Sequence, residues 1–561
     1  MLRTAKAGVP QQPDDLPRGH DSRAQPHRRP EPFGGHVVVV PVEAAPGRAE
    51  HLRERVQLGV RDVADQVRPE PAAPGHGGRV QVEHGNRRYA GSLPGMAAHP
   101  LLDDLRGALG DAAVLTDPDL LAGHARDEAD LCDSGVPLVV VRPRDTEGVV
   151  AVVRAAGRHG VPVVPQGART GLAGAANAVD GAVVVSTVAM NRVREIDPVG
   201  RIAVVQPGVV NAALARAVRE HGLWYPPDPG SWESSTVGGN VATNAGGMCC
   251  VKYGVTGEYV LGLEVVLASG EVLRTGRRTA KGVAGYDLTR LFVGSEGTLG
   301  VITEVTVALR PAPEQSLTLV AVFPTVATAG GAVAGIAGRG LTPSLLELLD
   351  RTHLRAIEAY RPMGLRTDAE ALLLAAVDTG ARAADDLARL AEVCTAAGAD
   401  EVYAAGDATE AAALLQARRL AHPAMERFAA QTYPGGNGGL VIDDVAVPRA
   451  RLAELLDGVA RIAEACRVPI GVVGHAGDGN MHPNIVVDRA DPDSLARGRR
   501  AFDEIMALGL ELGGTCTGEH GVGLLKRDWL AREIGPVGVR VHQAIKAALD
   551  PAGLFNPGKV F

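Results

Sequence analysis

Three glycine-rich loops, each attached to a valine-rich run, constrain the fold of this chain more than any other feature. The first, VPQGARTGLAGAA at residues 164–176, begins in the apolar run VPVVPQ and contains Gly167, Gly171 and Gly174. The second, residues 226–247, mixes paired glycines with Ser, Thr and Asn, and the third leads through Gly297 and Gly300 into GVITEV. Such small residues let backbone N–H groups approach an anion closely. The loops therefore predict close wrapping around a large polar ligand.

The first loop does not match the two common nucleotide-binding motifs. A Rossmann loop requires G-x-G-x-x-G at the start of a helix, whereas these glycines are spaced differently and the predicted strand GAVVVST follows. The P-loop is excluded as well, because no G-K-[ST] is present. From the residues alone the loop is either a phosphate-holding connection between strands or a tight surface turn. The second loop, with its run of small donors, favours the ligand site.

Strand-like and helical stretches alternate along most of the chain, which predicts an α+β fold. Residues 135–313 combine strands such as VPLVVVRP with helices such as NAALARAVREHG, and we expect them to form one domain. Residues 314–500 alternate strand and helix again and predict a second, α/β sandwich domain. Residues 96–134 open with the amphipathic MAAHPLLDDLRGAL, and residues 501–561 are predicted to be mainly helical.

Residues 1–95 differ in composition from everything that follows. They are rich in Arg, Pro, Gly and His and show no sustained helical or strand period, which predicts disorder. The segment is either a functional tail or a mis-assigned start of a chain that begins at Met96, and we favour the second explanation. A mitochondrial transit peptide is disfavoured, because Asp and Glu recur through the segment.

Charge and cysteine content exclude several classes of protein. A formal net charge of -8 argues against nucleic-acid binding, which requires a basic patch. No apolar run approaches the ~20 residues of a transmembrane helix. Six cysteines without a C-x-x-C pair do not form a recognisable disulfide framework. We therefore expect a cytoplasmic protein, with peripheral attachment to a membrane left open.

Two histidines and a glutamate near the end of the chain are candidate metal ligands. His475 and His482 flank the turn of GHAGDGNMHPN, and the two predicted strands of that hairpin can direct both imidazoles at one centre. Glu519, in TGEHGVG, lies between glycines that leave its loop free to approach. Two His and one carboxylate form a common catalytic zinc set. The spacing matches neither H-E-x-x-H nor a zinc finger, so spacing alone leaves metal binding and a structural role both open.

Three segments of the chain resemble those of a known family. PQGARTGLAGAA, STVGGNVATNAGG and FVGSEGTLGVITEVTV resemble flavin-binding segments of the p-cresol methylhydroxylase/vanillyl-alcohol oxidase superfamily. Within it, the chain is similar to the FAD-linked D-2-hydroxyacid dehydrogenases: D-lactate dehydrogenase, the glycolate oxidase flavoprotein subunit and D-2-hydroxyglutarate dehydrogenase. The resemblance implies a two-subdomain FAD-binding domain of the p-cresol methylhydroxylase type and an α/β cap domain that binds substrate. A helical C-terminal segment would complete the active site.

The same resemblance implies FAD held without a covalent bond, since the first loop has no His or Cys for attachment. The first loop would hold the pyrophosphate, the second would run along the pyrophosphate and flavin, and the third would touch the adenine side or the ring. The cofactor-binding residues implied are Pro165, Gln166, Gly167, Ala168, Arg169, Thr170, Gly171, Pro229, Gly230, Thr236, Gly238, Gly239, Asn240, Asn244, Gly246, Gly300 and Ile302.

GHAGDGNMHPN and GEHGVG look like the metal-binding segments of these dehydrogenases, which assigns further roles. The resemblance makes His475, His482 and Glu519 ligands of a divalent metal, with Zn²⁺ favoured and Mn²⁺ or Fe²⁺ as alternatives. Asn484 would contact the substrate, and His520 would contact it and act as catalytic base. A 2-hydroxy acid would chelate the metal, which lowers the pKa of its hydroxyl. His520 would take that proton while hydride passes from C2 to flavin N5.

Two further positions bear on the substrate. Arg418, in LLQARRLAHPAM, matches the family arginine that binds the substrate carboxylate; the alternative is a solvated charge on a helix. The lysine that binds a distal carboxylate in 2-hydroxyglutarate-specific members is replaced here by Ile442, in GGLVIDDVAVPR. This difference favours D-lactate or glycolate, with D-2-hydroxyglutarate as the alternative substrate.

Other functions and partners remain open at the level of sequence. A flavin-free metal hydrolase would use His475, His482 and Glu519 to activate water but leaves the glycine loops unexplained. A flavin module without chemistry, or an enzyme like alkyl-glycerone-phosphate synthase, would use FAD without net oxidation. For an oxidoreductase the sequence predicts an acceptor protein or a quinone without naming it, and a homodimer is compatible with it.

Overall fold

The computed structural model of the protein describes residues 99–314 and 316–561. The expectations for residues 1–95 therefore lie outside the described part. Within it, the predicted α+β class is confirmed, because helices alternate with strands that assemble into four sheets. All six cysteines are unpaired. No helix of the described ranges combines the length and the apolar character needed to cross a membrane.

The first sheet is made almost entirely of valine. Its strands have the order β1-β2-β4-β3 and are parallel except for the edge strand β1. Helices pack on the sheet through apolar side chains spaced three and four residues apart, as an amphipathic helix requires. The elements are β1 (Val114–Leu115), β2 (Val139–Val141), β3 (Val163–Gln166), β4 (Val183–Ser186), α1 (Pro100–Leu109), α2 (Pro118–Ala122) and α3 (Thr146–His159).

Local capping explains the limits of helix α3. The side chain of Asp145 accepts a hydrogen bond from the N–H of Gly148 at 2.9 Å, which satisfies one free donor of the first turn. Gly160 ends the helix in the left-handed conformation, with φ 63°. The sequence predicts this end at the same glycine. The loop after β3, the first glycine loop, is thus fixed at the carboxyl end of a strand covered by a rigid helix.

The second sheet is antiparallel and has the order β5-β6-β10-β8-β9. Strands β7 and β11 pair with each other in a separate two-stranded antiparallel ribbon. The second glycine-rich segment, residues 226–247, follows β7 and includes the short helix α5, and the third leads into β10. The elements are β5 (Val193–Asp197), β6 (Ile202–Val205), β7 (Leu223–Trp224), β8 (Val260–Val266), β9 (Val272–Gly276), β10 (Val301–Ala308), β11 (Arg310–Pro311), α4 (Asn211–Arg219), α5 (Val237–Thr243), α6 (Cys250–Tyr253) and α7 (Leu288–Phe292).

The third large sheet has eight antiparallel strands, with β15-β12-β14-β13-β18-β19-β16 in order and β17 paired with β19. Its strands are β12 (Leu317–Phe323), β13 (Leu345–Asp350), β14 (Ala371–Val377), β15 (Glu401–Ala404), β16 (Gly438–Ile442), β17 (Val445–Ala446), β18 (Ile470–His475) and β19 (Asn480–Asp488). The central strands are buried on both faces, which explains continuous apolar runs such as ALLLAAV.

Helices cover both faces of this sheet. One apolar cluster joins the sheet to α8, α10, α13 and α14, and another joins its opposite face to α9, α11 and α12. The last helix, α15, contains Pro536 and a non-helical Gly535, so it bends there. The helices are α8 (Val326–Gly338), α9 (Arg351–Tyr360), α10 (Ala383–Ala396), α11 (Ala408–Arg419), α12 (Ala421–Thr432), α13 (Leu452–Cys466), α14 (Pro492–Glu511) and α15 (Arg527–Leu549).

Candidate active site

A cavity of about 580 Å³ is lined jointly by the three glycine loops and by residues of the eight-stranded sheet and its connections. This volume is typical of sites for cofactors and small ligands. All the residues predicted to bind FAD line it except Asn244; they are Pro165, Gln166, Gly167, Ala168, Arg169, Thr170, Gly171, Pro229, Gly230, Thr236, Gly238, Gly239, Asn240, Gly246, Gly300 and Ile302.

Asn244 has a different place from the one predicted. It ends helix α5 in the left-handed conformation, with φ 52°. Its side-chain oxygen accepts a hydrogen bond from the N–H of Gly257 at 2.8 Å. The backbone N–H of Asn244 closes the helix, while its side chain is engaged with Gly257 and is not among the residues that line the cavity. In sequence Asn244 lies between Asn240 and Gly246, which do line the cavity. The sequence pattern therefore does not distinguish Asn244 from its neighbours.

The first two loops approach each other too closely for larger residues. A Cβ added to Gly167 would lie 2.4 Å from Oγ1 of Thr236, and one added to Gly238 would lie 2.4 Å from Cβ of Pro207. The Thr236 hydroxyl is fixed in turn, because it accepts a hydrogen bond from the N–H of Gly239 at 3.3 Å. The loops thus form a wall of backbone amides, which fits a ligand bound through its phosphates.

Two arginines lie against a buried histidine at the first loop, and burial together with their charges lowers the pKa of that histidine, His124. His124 is buried and its Nδ1 lies 2.8 Å from Oε1 of Gln166. Nη1 of Arg169 lies 3.2 Å from the same nitrogen, and Nη2 of Arg142 lies 3.4 Å from His124 Nε2. Burial and the charge of Arg142 lower the pKa of Arg169. Sequence reasoning missed His124 and Arg142, which reach the loop only through the fold.

The three predicted metal ligands lie together. Oε1 of Glu519 is 3.1 Å from Nε2 of His475 and 3.2 Å from Nε2 of His482. Strands β18 and β19 explain the pairing of the histidines. Val473 lies opposite His482, and His475 is two residues further along the same strand, so both imidazoles project from one face of the hairpin. One potential ligand atom from each residue falls within 4.8 Å of the others.

A fully buried carboxylate, Glu347, supports this cluster from behind. Nδ1 of His475 lies 2.9 Å from its Oε1, and Nε of Arg418 donates to its Oε2 at 2.7 Å. Burial by itself would raise the pKa of Glu347, but the charges of His475 and Arg418 outweigh that effect and lower it. Sequence reasoning missed this residue. Its signal was an acid within the apolar strand LLELLD.

The loop that carries Glu519 and His520 is held by a second buried carboxylate, Asp444. Oδ2 of Asp444 accepts hydrogen bonds from the N–H of His520 at 2.9 Å and from Oγ1 of Thr517 at 2.7 Å. Lys526 pairs with it at 2.9 Å, and both side chains are wholly inaccessible to solvent. Despite burial, which opposes ionisation, the Lys526 charge holds the pKa of Asp444 well below its usual range.

His520 lies directly beside the cluster as an uncharged ring. It stacks on His482 with 4.9 Å between ring centroids and 13° between ring planes. Burial lowers the pKa of His520 to about 4, an effect that the Asp444 carboxylate only partly opposes, so the imidazole is neutral at neutral pH. Its Nδ1 is buried without a hydrogen-bond partner among the described residues. A neutral imidazole that lines a cavity can accept a proton from a bound ligand.

The substrate residues predicted from the sequence also line this cavity. Arg418 contributes from the end of α11, and Asn484 from β19, where its Nδ2 donates to the carbonyl oxygen of His482 at 2.6 Å. Ile442 pairs with Asn484 across the two strands and lines the same space. A guanidinium, an amide and an apolar side chain therefore share one cavity with the imidazole of His520.

The donors present fit a divalent metal. Ligands about 2.0–2.1 Å from a tetrahedral Zn²⁺ stand roughly 3.3 Å apart. The Glu519 oxygen lies 3.1 and 3.2 Å from the two histidine nitrogens, close to that spacing. A second group, Asp444 with His482 and His520, also has the required proximity. The first group suits a metal better, because Asp444 is already occupied by Lys526 and by backbone N–H groups. Glu347 on Nδ1 of His475 leaves Nε2 for the cation.

Comparison with known proteins identifies the domain families and the fold of the chain. Residues 137–276 match the family described as FAD binding domain, and residues 312–560 match that described as FAD linked oxidases, C-terminal domain. Among solved structures, p-cresol methylhydroxylase with substrate bound has a TM-score of 0.69 at 20% identity, covering 84% of this chain and 98% of that one. The 4-ethylphenol oxidase from Gulosibacter chungangensis has a TM-score of 0.67 at 22% identity, covering 84% and 98%. The fold is thus the FAD-binding fold of the p-cresol methylhydroxylase type, as predicted.

Curated relatives define the family. The glycolate oxidase subunit GlcD of Bacillus subtilis (strain 168) is 42% identical over 427 residues, covering 76% of this chain and 89% of the relative. The D-lactate dehydrogenase of Anaerostipes hadrus is 34% identical over 458 residues, covering 80% and 94%. The chain belongs to the FAD-linked oxidase family and is an FAD-linked oxidoreductase. The resemblance seen in the sequence is confirmed, and the flavin-free hydrolase loses its support.

Proposed function

We propose that the protein oxidises a small D-2-hydroxy acid, D-lactate or glycolate, to the 2-oxo acid with non-covalently bound FAD and a divalent metal. One observation carries the proposal: His475, His482, Glu519 and His520 line the same cavity as the glycine loops. The relatives named for glycolate and for D-lactate support this substrate class.

In this proposal each of the predicted substrate and metal residues has a defined task. Arg418 binds the substrate carboxylate, because its Nε is held by Glu347 and its two Nη groups have no partner within the described ranges. Asn484 contacts the substrate from strand β19, and His520 accepts the proton of the substrate hydroxyl. His475, His482 and Glu519 would hold Zn²⁺, which supplies a Lewis acid for the hydroxyl oxygen when bound. Bound FAD would supply the acceptor for the hydride.

Anaerobic bleaching of the flavin tests the proposed reaction. The purified full-length chain should show a flavin spectrum that D-lactate or glycolate bleaches and L-lactate leaves unchanged. Bleaching by L-lactate alone would overturn the assignment of the substrate. Removing the metal with a chelator should abolish bleaching by D-lactate but leave the flavin bound. A rate unaffected by the chelator would overturn the metal and leave the flavin oxidoreductase intact.

Replacing Gly246 with Ala is expected to displace Glu519 and weaken Zn²⁺ binding. A Cβ at this position would lie 2.4 Å from Oε2 and 2.8 Å from Cβ of Glu519, so both the carboxylate and the base of this side chain must move. Losing a direct ligand should weaken binding at least as much as the roughly 10- to 100-fold loss typical of changes behind a ligand. Competition with a chromogenic chelator measures the affinity. Gly331→Ala is the control, since nothing lies within 4 Å of its added Cβ; equal affinities in the two variants would contradict the proposal.

Replacing Ile442 with Lys is expected to shift the specificity towards dicarboxylic 2-hydroxy acids. The side chain lines the cavity beside Asn484, where an ammonium group could pair with a distal carboxylate. A charged hydrogen bond of about 1.5–3 kcal/mol corresponds to a gain of about tenfold or more in kcat/KM for D-2-hydroxyglutarate relative to D-lactate. Ile442→Met, which keeps an apolar side chain, should leave the ratio unchanged. An unaltered ratio in the lysine variant would place Ile442 away from the bound acid.

A further inference from the structure

Glu347 connects two parts of the site that the proposed function uses separately. Its carboxylate receives Nε of Arg418 at 2.7 Å, and Nδ1 of His475 lies 2.9 Å from its other oxygen. The side chain has no exposure to solvent. A single buried group therefore contacts both the arginine proposed to bind the carboxylate and a histidine proposed to bind the metal.

The sheet fixes Glu347 in this position. It lies on the central strand β13, where Leu348 pairs with Gly474, so the next position along places Glu347 beside His475. Leu345 and Leu349, on the same face of the strand, belong to the apolar cluster that includes Leu414 and Ala417 of α11. The carboxylate is thus held between a strand and a helix, and its surroundings give it no freedom to turn towards water.

An isolated carboxylate in such a place would be strongly unfavourable. Water stabilises a charge that the protein interior cannot, unless the charge is paired and hydrogen-bonded there. An apolar residue of similar size would fill the space between β13 and α11 without that cost. The retained charge therefore has an explanation in what it contacts: it orients the imidazole of His475 through Nδ1 and the guanidinium fork of Arg418 through Nε.

We infer that Glu347 is a positioning residue that couples the carboxylate-binding arginine to the metal ligand. It would keep Nδ1 of His475 as the donor, so that Nε2 faces the cation beside Glu519. It would also direct the Nη groups of Arg418 into the cavity, where they meet the substrate carboxylate. The inference rests on the proposed function, because it takes His475 as a metal ligand and Arg418 as the carboxylate site.

The affinity for Zn²⁺ alone tests the first half of this inference. Glu347→Gln removes the charge and keeps the size, so the flavoprotein should bind Zn²⁺ about 10- to 100-fold more weakly than wild type in competition with a chelator. Glu347→Asp keeps the charge and should recover part of the loss. Glu264→Gln is the matched control, because Glu264 is also buried and hydrogen-bonded but lies on β8 with Thr146, Thr303 and Arg274. Its Zn²⁺ affinity should equal that of wild type.

A double-mutant cycle with oxalate tests the second half. Oxalate cannot be oxidised at a C–H bond, yet it offers a carboxylate beside a second oxygen, and its binding is followed by the change in flavin absorbance. At Zn²⁺ concentrations that saturate every variant, Arg418→Lys should weaken oxalate binding more in the wild-type background than in the Glu347→Gln background. The reason is that Glu347 no longer orients the fork in the second background.

The possible results distinguish a failure of the positioning role of Glu347 from a failure of the proposed metal site. Zn²⁺ binding by Glu347→Gln equal to that of Glu264→Gln, or additive effects of the two substitutions on oxalate, would overturn the positioning role and leave the proposed reaction standing. A wild-type flavoprotein that binds no Zn²⁺ would overturn the metal site itself and, with it, the coupling. Weaker Zn²⁺ binding together with non-additive oxalate binding supports the inference.

Discussion

Replacing His520 with Gln is expected to lower kcat for D-lactate by about 10²- to 10⁴-fold, the range that a positioned general base contributes. The variant keeps the size of the side chain but removes the basic nitrogen. Flavin content and Zn²⁺ affinity should remain close to wild type, because the proposed metal ligands are His475, His482 and Glu519. The rate of anaerobic flavin bleaching by saturating D-lactate measures the effect on the chemical step directly.

The geometry of His520 is the reason for expecting so large an effect. The ring stacks on His482, lies next to the proposed metal ligands and lines the cavity. Its backbone is held by Asp444 at 2.9 Å, so the imidazole has a defined position before substrate arrives. His542→Gln is the control, since that histidine is exposed on α15 and contacts the carbonyl oxygen of Gly538. A loss below about threefold in the His520 variant would assign the base to another group.

Local sequence patterns predicted the parts of the site that are contiguous along the chain. The glycine loops line the cavity because their small residues leave room only for backbone contacts, and that property is visible in the letters themselves. His475 and His482 lie on one hairpin, so their proximity follows from the two strands around the Gly-Asp-Gly turn. The prediction of Glu519 required the family resemblance as well, because its spacing from the hairpin does not show that its loop approaches the two histidines.

Partners distant in sequence could not be found this way. Glu347 reaches His475 across 128 positions and Lys526 reaches Asp444 across 82. Each of these contacts depends on strand order in the eight-stranded sheet or on the path of the loop before α15. Apolar periodicity predicts that a strand exists and which side is buried, but it does not predict its neighbours. An acid within a leucine-rich strand was the one local sign, and it indicates burial without naming a partner.

Asn244 shows the opposite limit. Its residue type fits a ligand-binding loop, and it lies among neighbours that line the cavity. Asn is also one of the few residues that adopts the left-handed conformation readily, and here it ends a helix with φ 52°. The two roles have the same signature in sequence. Only the backbone conformation separates them.

Replacing Asp444 with Asn is expected to destabilise the protein by about 3–5 kcal/mol, the cost of removing one partner of a buried ion pair. Lys526 and Asp444 are both inaccessible to solvent, so the ammonium group would remain buried without its counter-charge. The free energy of unfolding, measured in urea with the flavin bound, reports the effect. Because Asp444 also binds the N–H of His520 and the hydroxyl of Thr517, the variant should lose activity even where it is folded.

Asp443 provides a control one residue away. It is equally buried, but burial raises the pKa of its carboxyl to about 7, so the carboxyl carries a full charge in only about half of the molecules at neutral pH. Its Oδ1 accepts a hydrogen bond from the N–H of Asp444 at 2.8 Å, which an amide oxygen can still do. Asp443→Asn should therefore cost less than about 1.5 kcal/mol. If the two variants unfold at the same urea concentration, the loop that carries Glu519 and His520 is held by something other than the Asp444–Lys526 pair.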